Sequence, residues 1–320
     1  MPSELISILI CTFNRSRCLD ELLARLTTMF AGEFLEILVF DDASSDDTAA
    51  VCAKYTGKIR CIRSAQNIGY IAGRSRLIVE ARGEYFAFLD DDSCFVAPDA
   101  LRHIRKAFIA YPDCGVLACN IASPSDLAGQ IPQNAAPPEV ALFIGCGHVL
   151  KAEVARKVGS YPSFLSGYGA EEILLSLRIL NAGYRIILVP PLRVYHAEEQ
   201  SQRPVIERRA ASLVNEIAIV LSCYPLWLII PGIGKKLLSH GLFNLKHRSS
   251  EALKLAAKRL PGACVRALAG RRPIRTRTLW RWLRLRDDFS TAAAKWKGAA
   301  NQPGWHEIES MFVGQADTHE

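Results

Sequence analysis

The chain has 320 residues, half of them hydrophobic and 22% charged, with a formal net charge of +7. This is an ordinary globular composition, able to bury one large core or two unequal ones, and it excludes a fibrous or wholly disordered chain. Ten cysteines are scattered without a C-x-x-C pair, which argues against a zinc site or a disulfide frame and for reduced thiols in a cytosolic compartment.

Met1-Pro2-Ser3-Glu4 lacks the basic start of a signal peptide and leads at once into the short apolar run Leu5 to Ile10, so no secretion signal is expected. Strands are expected at Ile6 to Cys11, Phe34 to Phe40, Ile59 to Ile62, Tyr85 to Leu89 and Val116 to Cys119. Most are continuous apolar runs, as in strands covered on both faces. Helical patterns lie between them, at Cys18 to Met29, Thr48 to Tyr55, Ala72 to Ala81 and Pro98 to Ala110. Ser44 to Asp47 offer capping chemistry for the second, and Pro98 suits the first turn of the fourth. Alternation of strand and helix predicts an α/β fold with a mostly parallel, doubly wound sheet.

In such sheets ligands bind beyond the carboxyl ends of the strands, and polar residues cluster at three of those ends. The first strand runs into Thr12-Phe13-Asn14-Arg15, the second into Asp41-Asp42, and the fourth into Asp90-Asp91-Asp92. Three adjacent carboxylates repel one another unless a cation compensates. An oxygen-only cluster suits Mg²⁺ or Mn²⁺ completed by substrate phosphates; the alternative is an acidic strand-to-loop turn. There is no G-x-G-x-x-G after the first strand and no G-x-x-x-x-G-K-[ST], which disfavours a dehydrogenase-type dinucleotide fold and a P-loop NTPase.

Four prolines between Pro124 and Glu139 mark a loop suited to serve as a lid. Phe143 to Gly147 and the Gly/Tyr/Ser-rich stretch Gly159 to Gly169 precede a helical pattern from Ala170 to Arg178. Its acidic pair, Glu171-Glu172, falls in the first turn, where the helix dipole alone would favour it. Tyr184 to Pro190 is expected to be a further strand, leading to Val194-Tyr195-His196.

Taken in order, Ser7 to Arg15, Val39 to Ser44, Asn67-Ile68-Gly69 with Ala72-Gly73-Arg74, Phe88 to Asp92, Glu171-Glu172 six residues before Arg178, and Tyr195-His196 resemble family 2 of the inverting nucleotide-sugar glycosyltransferases, of bacterial type. Each motif is weak alone; the ordered series over about residues 5–197 is specific. The resemblance implies a GT-A type fold, a nucleoside diphosphate sugar donor, a divalent metal (Mg²⁺ or Mn²⁺), and single-displacement transfer with inversion. It places Asp92 and Asp90 on the metal and Asp91 near the ribose; His196 would ligate the metal or the diphosphate, unless it is a structural histidine at the end of an apolar strand. Asp42 would face the base, with Thr12, Asn14, Arg15 and Asn67 around nucleoside and phosphate. Arg74, read at the start of a helix, would meet phosphate through its fork and the helix N-terminus, unless it is a solvated surface residue.

Inversion needs a general base opposite the leaving group. The resemblance points to Glu172, with Glu171 beside it. Glu stands there in place of the usual Asp, and Leu174 where an acid is frequent.

From Ser201 to Lys297 the chain carries 20 Lys/Arg against 5 Asp/Glu, leaving the rest net acidic. The two parts, 1–200 as the transferase domain and 201–320 as a helical basic region, are therefore expected to face different partners. Ile217 to Ile233 is uncharged for 17 residues, short of the roughly 20 that span a bilayer and broken by Pro225 and Pro231, so an interfacial or re-entrant segment is expected. Basic residues from Lys246 to Arg286, with Trp280 and Trp282, suit an anionic membrane surface; a helical layer packed on the first domain is the alternative. The expectation is a cytoplasmic enzyme peripheral on the inner face of the cell membrane, acting on a glycan or lipid-linked acceptor in cell-surface polysaccharide synthesis. A non-catalytic nucleotide-sugar or membrane-binding protein is the rival reading. Nucleic acid is not the expected partner, and steep salt-dependent affinity would be its signature.

Overall fold

A computed structural model describes residues 4–122, 137–197 (except 163 and 166), 205–246 and 250–294, with side chains excluded at 246 and 287–294. Most of the expected Pro124 to Glu139 lid lies outside the described residues.

The strands are β1 (Ile6–Thr12), β2 (Leu35–Asp41), β3 (Arg60–Arg63), β4 (Tyr85–Asp90), β5 (Ser93–Phe95), β6 (Cys114–Ala122), β7 (Gly147–Lys151) and β8 (Arg185–His196). The helices of the first part are α1 (Ser16–Met29), α2 (Thr48–Lys54), α3 (Tyr70–Glu80), α4 (Ala100–Ala110), α5 (Ala152–Val158) and α6 (Glu171–Asn181). They are followed by α7 (Val205–Cys223), a 3-10 turn at Leu226–Leu228, α8 (Ile229–Lys246), α9 (Glu251–Ala269) and α10 (Thr276–Ala294).

One sheet runs in the order β3-β2-β1-β4-β7-β6-β8-β5. Its first half, β3 to β4, is parallel throughout, as the alternating pattern predicts. Beyond β4 it is mixed: β7 pairs antiparallel with β4 and β6, and β5 antiparallel with β8. Neither β5 nor β7 was expected. Ser93–Phe95 is too short for a periodic signal, and Gly147–Lys151 opens on glycine and includes a histidine. The strand expected at Tyr184 to Pro190 starts at Arg185 and continues through Val194-Tyr195-His196 as one strand, β8. Its Pro190-Pro191 is accommodated by a register shift that carries pairing from Cys119↔Val189 to Asn120↔Arg193.

Alternation along β1 shows why continuous apolar strands are needed. Ile6, Ile8 and Ile10 join one buried cluster with Leu19, Leu22, Leu23 and Leu26 of α1. Leu9 turns to the opposite cluster, with Phe40, Phe86 and Phe88. A Cβ at Gly73 would stand 2.7 Å from the Phe40 ring, so a glycine lets α3 lie directly on β2.

That second cluster also takes Ala218, Ile219 and Cys223 of α7 and Leu279 and Trp282 of α10. The apolar stretch from Ile217 is therefore not one interfacial segment. Ile217 to Val220 and Cys223 are buried in protein, α7 ends before Pro225, and Pro231 falls in the first turn of α8, where its missing N–H costs nothing. Among the described residues no helix is long and apolar enough to cross a membrane.

Candidate active site

The ends of β1, β2 and β4 bring the three polar clusters together, and β8 adds a fourth element. Antiparallel pairing of β5 with β8 sets His196 opposite Ser93, next to the triplet. The short strand that periodicity misses thus delivers the histidine.

Within the triplet the three carboxylates point to different neighbours. Asp91 is buried, accepting from Thr12 Oγ1 at 2.8 Å and pairing with Arg15 Nη1 at 2.7 Å. Burial, opposed by Arg15 and reinforced by the Asp92 charge, pushes its carboxyl up to about 7. Asp92 pairs with Arg15 Nη2 at 2.7 Å and lies 3.3 Å from His196 Nε2. Burial opposes its charge, yet His196 and Arg15 hold it below the usual carboxylate range. His196 is likewise opposed by burial but raised to about 11, chiefly by Asp92 and then by Cys146. Asp90 is the most open of the three and accepts from Arg74 Nη2 at 2.8 Å.

One donor atom each from Asp90, Asp92 and His196 lie within 4.8 Å of one another. Asp92 Oδ1 is buried and faces His196 Nε2 at 3.3 Å. Two carboxylate oxygens and one imidazole nitrogen gathered in this way fit a hard divalent cation such as Mg²⁺ or Mn²⁺, which the imidazole would ligate in its neutral form.

Several expectations are corrected here. Thr12 and Asp91 are buried and bound to each other, and the partly exposed Arg15 grips both Asp91 and Asp92, so these three support the triplet's geometry. Asp42 spends both carboxylate oxygens on backbone N–H groups, of Ile68 at 2.7 Å and Gly69 at 2.8 Å, so it shapes the loop that carries Asn67. Asn67 and Asn14 remain exposed on the rim, where Asn14 Oδ1 accepts from the Ser45 amide at 2.7 Å.

Arg74 departs furthest from expectation. It lies in the second turn of α3, not at its start, and it is buried. Its fork binds Asp90 and, at 3.2 Å, Glu171 Oε1, while the Tyr70 and Tyr161 rings lie 5.0 and 5.7 Å from its centre. Neither a surface arginine nor an open phosphate fork describes it. A signal existed: Ile71, Arg74 and Leu77 recur at helical spacing on the inward face.

Glu171 and Glu172 open α6, as expected, but capping does not account for them. Glu171 is 1% exposed and its Oε2 has no hydrogen-bond partner, a cost that a surface cap would not carry. Glu172 is half-buried. Burial, then the Glu171 charge, push its carboxyl up to about 8 against the pull of Arg74. Sequence reading also missed Gly145, where a Cβ would stand 2.6 Å from Glu172 Oε1 and 2.8 Å from Arg74 Nη1. It missed as well the buried pair His148 and Tyr161, joined at 2.7 Å and packed on Phe88. Gly145 and Tyr161 lie in stretches noted for their glycines but given no role, and His148 directly follows the first of them.

Three residues other than glycine have positive φ among the described residues: Asn14 (53°), Ala43 (64°) and Ala170 (74°). They adjoin Arg15, Asp42 and Glu171. Strain of this kind persists only where surrounding contacts hold it, and here it lies at three corners of one site.

Residues 7–158 match the glycosyl transferase family 2 profile. A UDP-Glc:alpha-D-GlcNAc-diphosphoundecaprenol beta-1,3-glucosyltransferase, WfaP, of Escherichia coli is 31% identical over 116 residues, covering 34% of this chain and 45% of that protein. A cholesterol galactosyltransferase of Borreliella burgdorferi is 33% identical over 89 residues, 27% of this chain and 25% of that one. The chain thus matches less than half the length of these relatives. In fold, it is similar to a mannosyltransferase of Pyrobaculum calidifontis solved with GDP-Man and Mn²⁺, with TM-score 0.54, 17% identity and coverage of 97% of this chain and 79% of that one.

Proposed function

We propose, from the match of residues 7–158 to the glycosyl transferase family 2 profile, that the chain is an enzyme that moves a sugar from a nucleoside diphosphate sugar to a hydroxyl of a glycan or lipid-linked acceptor, with inversion at the anomeric carbon. The observation that carries this reading is the linkage through Arg74. It ties Asp90, one of the three residues suited to a cation, to Glu171, the neighbour of a half-buried carboxylate whose pKa is raised toward neutrality.

Asp90, Asp92 and His196 would hold Mg²⁺ or Mn²⁺, which when bound neutralises charge developing on a diphosphate leaving group. The chain's own residues do the rest. Thr12 and Arg15 fix Asp91 and Asp92 within the triplet, and Asp42 holds the loop of Asn67 at the nucleoside side. Glu172 takes the proton of the attacking hydroxyl. Its raised pKa suits a base that works near neutral pH, and Arg74 and Gly145 fix its position.

Two named relatives act on a diphosphoundecaprenol-linked sugar and on cholesterol, which supports a lipid-borne acceptor here. It also supports a location peripheral on the inner face of the cell membrane, in cell-surface polysaccharide synthesis. A binding protein without activity has no use for Glu172 as a base. Glu172→Ala is therefore the test: transfer should vanish while donor affinity persists, and equal loss of both would contradict the assignment.

A further inference from the structure

α8 is built with its polar side inward. Toward α7, Lys236 and His240 reach Glu216 at 2.5 and 3.5 Å, and Asn244 is buried. The outward stripe holds Ile230, Leu237, Leu238, Leu242 and Leu245, and the preceding turn adds Trp227; Ile230 is 84% and Leu245 75% exposed. Leu237 and Leu238 follow Ile230 by about two turns, Leu242 follows Leu238 by four residues and Leu245 follows Leu242 by three, so they form one stripe. Gly234 and Gly241 lie along it, with nothing within 4 Å of where a Cβ would stand. A helix in contact only with its own domain and water places these faces the other way round.

Charge selects the occupant. Exposed Lys235 borders the stripe, and α8 contains no Asp or Glu. A two-fold contact of this face with a second copy would set cation against cation without an acid on the helix to answer it. An anionic lipid surface satisfies both the apolar stripe and the lysine, with a tryptophan at its edge.

We propose that the outward face of α8, with Trp227, lies in the interfacial layer of an anionic membrane, the helix axis along the surface. This deepens the membrane-side reading given above and rests on it. The contact is wired to the site. Asn215 of α7 donates to the Gly169 carbonyl at 2.9 Å, two residues before Glu171, and the adjacent Glu216 anchors α8. One helix therefore holds both the membrane-facing element and the loop that leads to the proposed base.

The test is flotation of the full chain with large unilamellar vesicles of phosphatidylcholine, with and without phosphatidylglycerol. Thermal shift with UDP- and GDP-sugars plus Mn²⁺ is measured in parallel. Wild-type protein should float with the anionic vesicles, and Trp227→Phe should remove part of a blue shift in emission. Leu238→Glu/Leu242→Glu, altering exposed positions only, should lower the vesicle-bound fraction roughly tenfold or more while leaving the donor-induced thermal shift intact. Failure of wild type to float, or equal flotation of the double variant, overturns the proposal. So does a wild-type dimer in sedimentation velocity that the double variant dissociates, since the face would then meet a second copy. Donor binding separates the two readings: if it persists when flotation fails, only the docking falls, and if no sugar nucleotide binds, the functional reading falls.

Discussion

Asp90 and Glu171, 81 positions apart in sequence, are held by the two arms of one buried guanidinium, that of Arg74. The end of β4 and the start of α6 are thereby fixed to each other through α3. The metal side and the base side of the proposed reaction are thereby tied through one side chain.

This makes Arg74 a positioning residue. Removing one partner of a buried ion pair leaves a charge uncompensated, so Arg74→Met should cost about 3–5 kcal/mol of stability. Arg74→Lys keeps the charge but loses the fork. It should be destabilised less, and yet show a lower kcat with nearly unchanged donor affinity. Thermal melts and steady-state kinetics on both variants check this; parent-like kcat in Arg74→Lys would contradict it.

The pH dependence follows from Glu172. A base must be deprotonated, so the acidic limb of the kcat/KM profile should lie above the ordinary carboxylate value of 4.5, toward about 8. Glu171→Gln removes the neighbouring negative charge and should move that limb down. Stability runs the opposite way. A carboxyl whose pKa is raised on folding contributes stability that is complete below 4.5 and lost as pH rises through about 8. Glu172→Gln should therefore gain stability relative to the parent across that window, as urea melts at pH 5 and pH 8.5 would reveal.

Gly145→Ala probes close packing. Its Cβ would meet Glu172 Oε1 at 2.6 Å and Arg74 Nη1 at 2.8 Å, so both side chains must shift. A displacement on the order of 1 Å at a reacting group costs roughly 100-fold in rate. The expected outcome is a folded protein with strongly reduced kcat, checked by circular dichroism alongside kinetics.

The α7–α8 contact gives a separate stability prediction. Glu216 is opposed by burial but brought down to about 2, chiefly by His240 and Lys236. A depressed carboxyl contributes stability present above its unfolded value of 4.5 and lost as pH falls through about 2. Glu216→Gln should be less stable than the parent at pH 7, with the difference shrinking toward pH 3 in thermal melts.

Much of this site is legible in sequence, because strand ends collect its polar groups and β1, β2 and β4 are continuous apolar runs. Less legible is what those groups touch. Thr12, Arg15, Asp91 and Asp42 have the right residue types at the right strand ends, yet their hydrogen bonds are spent on neighbours brought close only by folding. His196 reaches the triplet through β5, three residues long and without a period to read. Arg74 lies on the apolar stripe of α3, a position that spacing alone could have located. α8 defeats pattern reading for another reason: its apolar side is clear in sequence, but which side meets the domain depends on Glu216 of another helix.

In the proposed reaction Asp90, Asp92 and His196 form the metal half of a sugar-nucleotide site and Glu172 the catalytic half. Calorimetric titration of UDP- and GDP-sugars into wild type, Asp92→Asn, His196→Ala and Glu172→Gln, with Mn²⁺ and with chelator, separates the halves. Donor binding to wild type and Glu172→Gln should be lost on chelation, and binding should be weakened about tenfold or more in the two ligand variants. Donor binding that ignores both the chelator and the ligand substitutions would contradict this assignment.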